Sequence, residues 1–166
     1  MVCAQRLQVR VVEPVMAIPA RIFLVALAPI GLGSIVTART AVVTPLFAVP
    51  AIVLGVVAAT APALYIASAA AGHAPPLGTM IRALGIALGA FGIALAGLVL
   101  PAAFLALTSI APMTAIIVTS AALAASVGLA LWRLHDELGR PPLAIYGTWA
   151  LATVALAGRL WWEVVS

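Results

Sequence analysis

"TAVVTPLFAVPAIVLGVVAATAPALYIASAAAG", residues 40–72, contains no charged side chain. In a chain of only 166 residues so long an uncharged run cannot be buried inside a large soluble core, and its natural solvent is lipid. A spanning helix takes about 20 apolar residues at roughly 1.5 Å each, so the run is longer than one crossing and too short for two with a turn. The expectation is a short interfacial or re-entrant piece at 41–47, then a span at about 48–71. Pro45, Pro50 and Pro62 interrupt the stretch, and Pro62 predicts a bend.

The rest of the chain has the same character. Apolar residues make up 66% and charged residues 7%, with a mean hydropathy of +1.29, whereas a soluble domain sits near ~45–50% and ~25%. The expected fold class is all-α, a polytopic membrane helical bundle of about five transmembrane helices. The spans fall at about 17–37, 48–71, 80–107, 113–132 and 143–162, and form a single domain over 17–166. "IFLVALAPIGLGSIVTA" (22–38) ends in small residues as a signal peptide does, but the stretch before it is long for such a leader. It reads as a retained first span, kinked at Pro29.

Residues 1–16 form an N-terminal segment in which Leu7, Val9 and Val11 alternate with Arg6, Gln8 and Arg10. That pattern fits an interfacial segment with its arginines at anionic lipid, or a solvated tail. The single cysteine, Cys3, excludes an internal disulfide.

All eight basic residues are arginine and they stand singly, which argues against nucleic acid and for topology. With the N-terminus inside, Arg6, Arg10, Arg21, Arg82, Arg133 and Arg140 collect on one side and Arg39 and Arg159 on the other. The positive-inside rule then predicts N-in, C-out, in a bacterial-type inner (cytoplasmic) membrane. Arg21, Arg82, Arg133 and Arg140 are expected to anchor at the headgroups, and Trp132, Trp161 and Trp162 to form the aromatic belt.

Chemistry has few places to reside. "WRLHDELGRPP" (132–142) puts His135, Asp136 and Glu137 side by side in what reads as a wet connector. Adjacent loop residues converge poorly on one ion, so no metal site is expected and partner docking is the main alternative. His73, in the connector "GHAPPLGTM" (72–80), lies on the same predicted face. Two histidines at one depth can ligate haem, but both fall outside the apolar spans. A solute pathway needs polar groups at mid-membrane. The chain offers only hydroxyls there: Thr60, Tyr65, Ser68, Thr114, Thr119, Ser120, Ser126, Thr148 and Thr153.

Packing is better provided for. "GIALGAFGIALAG" (85–97) sets Gly85, Gly89, Gly92 and Ala96 along one helix stripe, including a G-x-x-x-G. Small residues let helix backbones approach where lipid removes the hydrophobic incentive to associate. The stripe can serve a neighbour within the chain or a partner.

A proline just before span one (Pro14), a P-x-L-Y in span two (Pro62, Leu64, Tyr65), Gly72 in the connector and Arg82 opening a Gly-rich third span are a recognisable layout. The five-span chain resembles bacterial Yip-type domain proteins, and "GRLWW" (158–162) is similar to the end of related five-span proteins. The resemblance implies a polytopic helical scaffold with no catalytic residues. Eukaryotic relatives recruit small GTPases through a soluble N-terminal region, which the short segment before span one does not supply.

The expected function is therefore a membrane structural or assembly subunit. It is not an enzyme and needs no cofactor. Its surroundings are the lipid bilayer and other membrane-protein subunits or further copies of itself, with no nucleic acid. The alternatives are a transporter or channel component with its pathway along the proline-broken second span, and a haem-binding or enzymatic membrane protein using His73 and His135.

Overall fold

The computed structural model describes residues 17–40 and 44–165, with side-chain surroundings for 24–39, 44–111 and 113–164. Those residues form five helices and no strand: α1 (Ala17–Thr40), α2 (Thr44–Ala70), α3 (Leu77–Thr108), α4 (Pro112–Glu137) and α5 (Leu143–Val165). The N-terminal segment 1–16 lies outside the described residues.

Prolines and glycines mark the boundaries. Pro112 opens α4 and Pro45 sits in the first turn of α2, where a missing N–H leaves no hydrogen bond unmade. Pro142 stands just ahead of α5, its carbonyl taking the N–H groups of Ile145 and Tyr146. Two helices stop in the same way. Gly72 and Gly139 adopt left-handed backbone (φ 71° and 74°). Paired bonds from His73 to Ser68 and Gly72 to Ala69, and from Arg140 to His135 and Gly139 to Asp136, then close the exposed carbonyls.

Two expected boundaries change. Residues 44–47 are not a separate interfacial piece but the first turn of α2, which continues unbroken through Pro50 and Pro62 to Ala70; residues 41–43 lie outside the described residues. α4 continues to Glu137, past the expected end at 132, because Gly139 stops the helix and the aromatic belt does not.

α2, α3, α4 and α5 are each long and apolar enough to cross a membrane, and α1 has 24 residues, roughly 36 Å. The protein is a multi-pass integral membrane protein with an all-α helical bundle. α1 packs between α2 and α3, α3 packs most extensively on α4, and α2 packs on α5. α4 and α5, although consecutive, touch little.

The inner faces mix rows of small side chains with large ones such as Leu32, Leu64, Phe91 and Leu95. On α3 the buried positions include Ala83, Ala87, Gly89, Gly92, Ala102 and Ala106, while Ile81, Ile93, Leu100, Phe104 and Leu107 face outward. On α4 the buried row is Ala115, Thr119, Ala122 and Ser126, spaced 4, 3 and 4. Large residues toward lipid and small ones toward the next helix is the arrangement that close approach requires. It is closest at α1. A β-carbon on Gly33 would lie 2.5 Å from the carbonyl oxygen of Pro45, and one on Gly92 would lie 2.8 Å from the backbone nitrogen of Val25.

The two ends of the glycine stripe should therefore respond oppositely to alanine. Gly92→Ala drives a methyl into the backbone of α1 and should lower stability by about 1–3 kcal/mol. Gly85→Ala meets nothing within 4 Å and should raise it by roughly 0.5–1 kcal/mol through helix propensity. Thermal unfolding of the detergent-solubilised variants measures both; a stabilising Gly92→Ala contradicts the close approach.

Candidate functional site

The helix that carries His135, Asp136 and Glu137 determines what they can do. Contrary to the expectation of a loop, all three lie in the last turn of α4. Glu137 pairs with Arg133 one helical turn back at 3.7 Å, and Asp136 with Arg140, just beyond the end of the helix, at 3.4 Å. His135 points away from both, with its ring 4.9 Å from that of Tyr146 and its Nε2 buried without a partner. The three side chains do not converge. His73 is exposed in the α2–α3 connector, its Nδ1 2.6 Å from the carbonyl of Ala71. Among the described residues no three His, Cys, Asp or Glu side chains are grouped to hold a metal ion.

Four of the nine hydroxyls expected as pathway linings are bonded to their own helices. Thr60 donates to the Val56 carbonyl at 2.8 Å, Thr119 to Ala115 at 2.6 Å, Ser126 to Ala122 at 2.8 Å and Thr148 to Ala144 at 2.7 Å. Each closes a local ring one turn back, which satisfies the donor without water. Ser120 accepts the indole N–H of Trp161 at 2.8 Å.

Trp161 is thereby corrected. Expected in the interfacial belt, it is only 6% exposed and joins α5 to α4, whereas Trp162 and Trp132 stand 59% and 65% exposed near helix ends. Two further aromatic groups secure α5. The Tyr146 hydroxyl donates to the Leu131 carbonyl on α4, and Trp149 donates its N–H to the Thr60 carbonyl on α2 at 2.8 Å. Both carbonyls use a lone pair left over from the helix ladder. Tyr146 and Trp149 lie with ring centroids 5.7 Å apart, so His135, Tyr146 and Trp149 form a continuous aromatic row.

The arginines divide by position. Arg82 is exposed near the start of α3, and Arg133 and Arg140 are exposed and ion-paired at the end of α4. The side chain of Arg21 lies outside the described residues. Arg39, read from sequence only as a topology mark, donates from Nη2 to the Ser109 carbonyl at the C-terminus of α3. A cation there meets the negative end of the helix dipole.

The glycine stripe is used mostly within the chain. Gly89 and Gly92 are buried, Ala96 packs against the core, and only Gly85 is exposed. The matching small row on α4 went unread in the sequence, although its 4, 3, 4 spacing repeats that of the stripe on α3.

α2, α3, α4 and α5 also line a partly open cavity of about 110 Å³. Its walls include Val56, Leu84, Phe91, Val127 and Trp149, with Thr60 and Thr153 as the hydroxyl-bearing residues. A second, open groove of about 420 Å³ runs between α2 and α5, along Ala48, Ala51, Gly55 and Ala59 on one side and Leu156 and Leu160 on the other.

Comparison with protein-family models, curated proteins and solved structures finds no match to this chain.

The ion pairs and the indole bond predict a contrast in stability. Asp136→Asn and Glu137→Gln remove exposed one-turn pairs and should each cost no more than about 0.5 kcal/mol. Trp161→Phe removes the bond from the buried indole to the half-buried Ser120 hydroxyl and should cost about 1–3 kcal/mol. Equal losses at all three sites in thermal unfolding would contradict this placement.

Proposed function

We propose that this protein is a non-catalytic structural or assembly subunit of a bacterial-type inner membrane, placed N-in and C-out, which joins other membrane proteins by helix packing. The observation that supports this reading is the bonding of many of its polar side chains. Thr60, Thr119, Ser126 and Thr148 bond within their own helices, Ser120 to Trp161, and the acidic residues at the end of α4 to neighbouring arginines. Such groups are poorly placed to strip protons, coordinate an ion or hydrate a solute. The continuity of α2 through its prolines also weighs against a broken-helix pathway. The likeness in layout to Yip-type scaffolds belongs to the same proposal.

The docking surface shifts from the one the sequence suggested. With Gly89 and Gly92 buried in the chain's own packing, α2 offers a free small-residue face, where Gly55 has nothing within 4 Å of a built β-carbon. The open groove it shares with α5 presents Ala51, Gly55 and Ala59, small residues against which a helix of another membrane protein would pack.

Two measurements test the proposal. Gently solubilised from its native membrane, the protein should migrate in a stoichiometric complex with a second membrane protein, and Gly55→Leu should release it while leaving its own thermal midpoint unchanged. Migration of the wild type as a lone monomer would refute the assembly role. For orientation, a phosphatase fused after Ser166 should be active and one fused within the 138–142 connector inactive; the reverse pattern would overturn N-in, C-out.

A further inference from the structure

α2 is continuous through Pro62, yet a proline has no N–H. The carbonyl of Ala58, one turn earlier, therefore lacks the bond that the helix ladder would return to it. Ala58 and Pro62 are both exposed, and Ala58 lies near the midpoint of the 27-residue helix, where neither water nor headgroups reach. The neighbouring donors are engaged elsewhere: the Thr60 hydroxyl bonds the Val56 carbonyl, and the Trp149 indole bonds that of Thr60. In hydrocarbon an unbonded carbonyl is costly, and in membrane helices a carbonyl freed by proline is characteristically taken up by a neighbouring helix.

We propose that this carbonyl is the polar anchor of the docking surface on α2, and that the helix seated there carries an uncharged side-chain donor, a hydroxyl or carboxamide, at mid-membrane. The inference rests on the assembly role proposed above and names the chemistry of the partner. The surroundings admit such a helix. Gly55 has nothing within 4 Å of a built β-carbon, and Ala51 and Ala59 share its exposed face, so a second backbone can come close enough for a short side chain to reach the carbonyl. Pro101 frees the carbonyl of Gly97 on α3 in the same way, but there Ile93, Leu100 and Phe104 stand outward and hold a neighbouring backbone off. A lipid tail packs against either face and donates nothing. A charged donor costs more at that depth than the bond returns. A second copy of this chain is a poorer match than a different protein, since outward hydroxyls such as Ser34 and Thr148 already donate within their own helices.

The test uses the complex extracted gently from the native membrane, with the full-length chain and its variants. Pro62→Ala restores the N–H that closes the Ala58 carbonyl. The chain should then keep or raise its thermal midpoint while holding the partner about tenfold more weakly. Pro101→Ala, the matching change on α3, should leave the partner bound as in the wild type. A photoreactive leucine in place of the exposed Leu54, one turn before Ala58, should crosslink to a partner segment with serine, threonine, asparagine or glutamine at mid-membrane. Full retention of the partner by Pro62→Ala, equal loss in Pro62→Ala and Pro101→Ala, or a crosslinked segment without such a donor would each overturn the inference and leave the assembly role standing. A wild-type chain that migrates alone refutes the assembly role, and the inference with it.

Discussion

Hydrocarbon offers no hydrogen bonds, so each polar group placed within a bilayer must find its partner inside the protein. This constraint explains most of what the chain does with its few polar side chains. Threonine and serine fold back on their own helices, while the indole and phenol groups of Tyr146, Trp149 and Trp161 reach across to α2 and α4. Arg39 turns to the open end of α3. The acidic residues Asp136 and Glu137 stand at a helix end and pair with nearby arginines. Many of the polar side chains that stand out in the sequence are thus engaged in bonds within the bundle. Thr37 Oγ1, Arg39 Nε, His135 Nε2 and Thr153 Oγ1 are buried exceptions without a partner.

The same solvent changes how the helices are held. Lipid tails are as apolar as leucine, so burying leucine gains little, and cohesion comes from close contact between backbones. α1 shows this most directly: Gly33 lies against the carbonyl of Pro45 and Gly92 of α3 against the backbone at Val25. Large side chains fill the remaining space between helices, as Leu32, Leu64, Phe91 and Leu95 do, and others such as Ile93, Leu100 and Phe104 face outward to the bilayer. α5 lacks comparable contact with α4 and is attached to it chiefly by aromatic hydrogen bonds. This leaves room between the helix pairs for the cavity.

The membrane character and the helical class were legible because hydropathy is carried residue by residue and needs no knowledge of neighbours. Helix ends were less so. The end of α4 was assigned to Trp132 and Arg133, yet the stop signal lay downstream at Gly139, followed by Pro141 and Pro142; the belt describes where a helix meets headgroups, not where its hydrogen bonds end. The prolines of α2 were read as breaks, although Pro45 occupies a first turn that tolerates it. The glycine stripe was visible, but its partner was not, because which helix approaches Gly92 depends on the arrangement of all five. Trp161 shows the same limit: residue type alone suits both interface and interior, and only Ser120, distant in sequence, distinguishes them. The cavity left no sequence signal, since its walls come from four helices and its one unpaired hydroxyl resembles every other threonine.

The most direct test of a bundle whose polar interior is satisfied without water is the reactivity of single cysteines toward a charged, membrane-impermeant thiol reagent. In a Cys3→Ser background, cysteines are placed at 60, 119, 126 and 153, with 73 and 138 in the connectors as references. The connector positions should label readily once the membrane is opened, and the four interior positions should stay unlabelled until the protein is denatured. Labelling of 119 or 126 in the folded protein would reveal an aqueous path through the bundle and contradict the account.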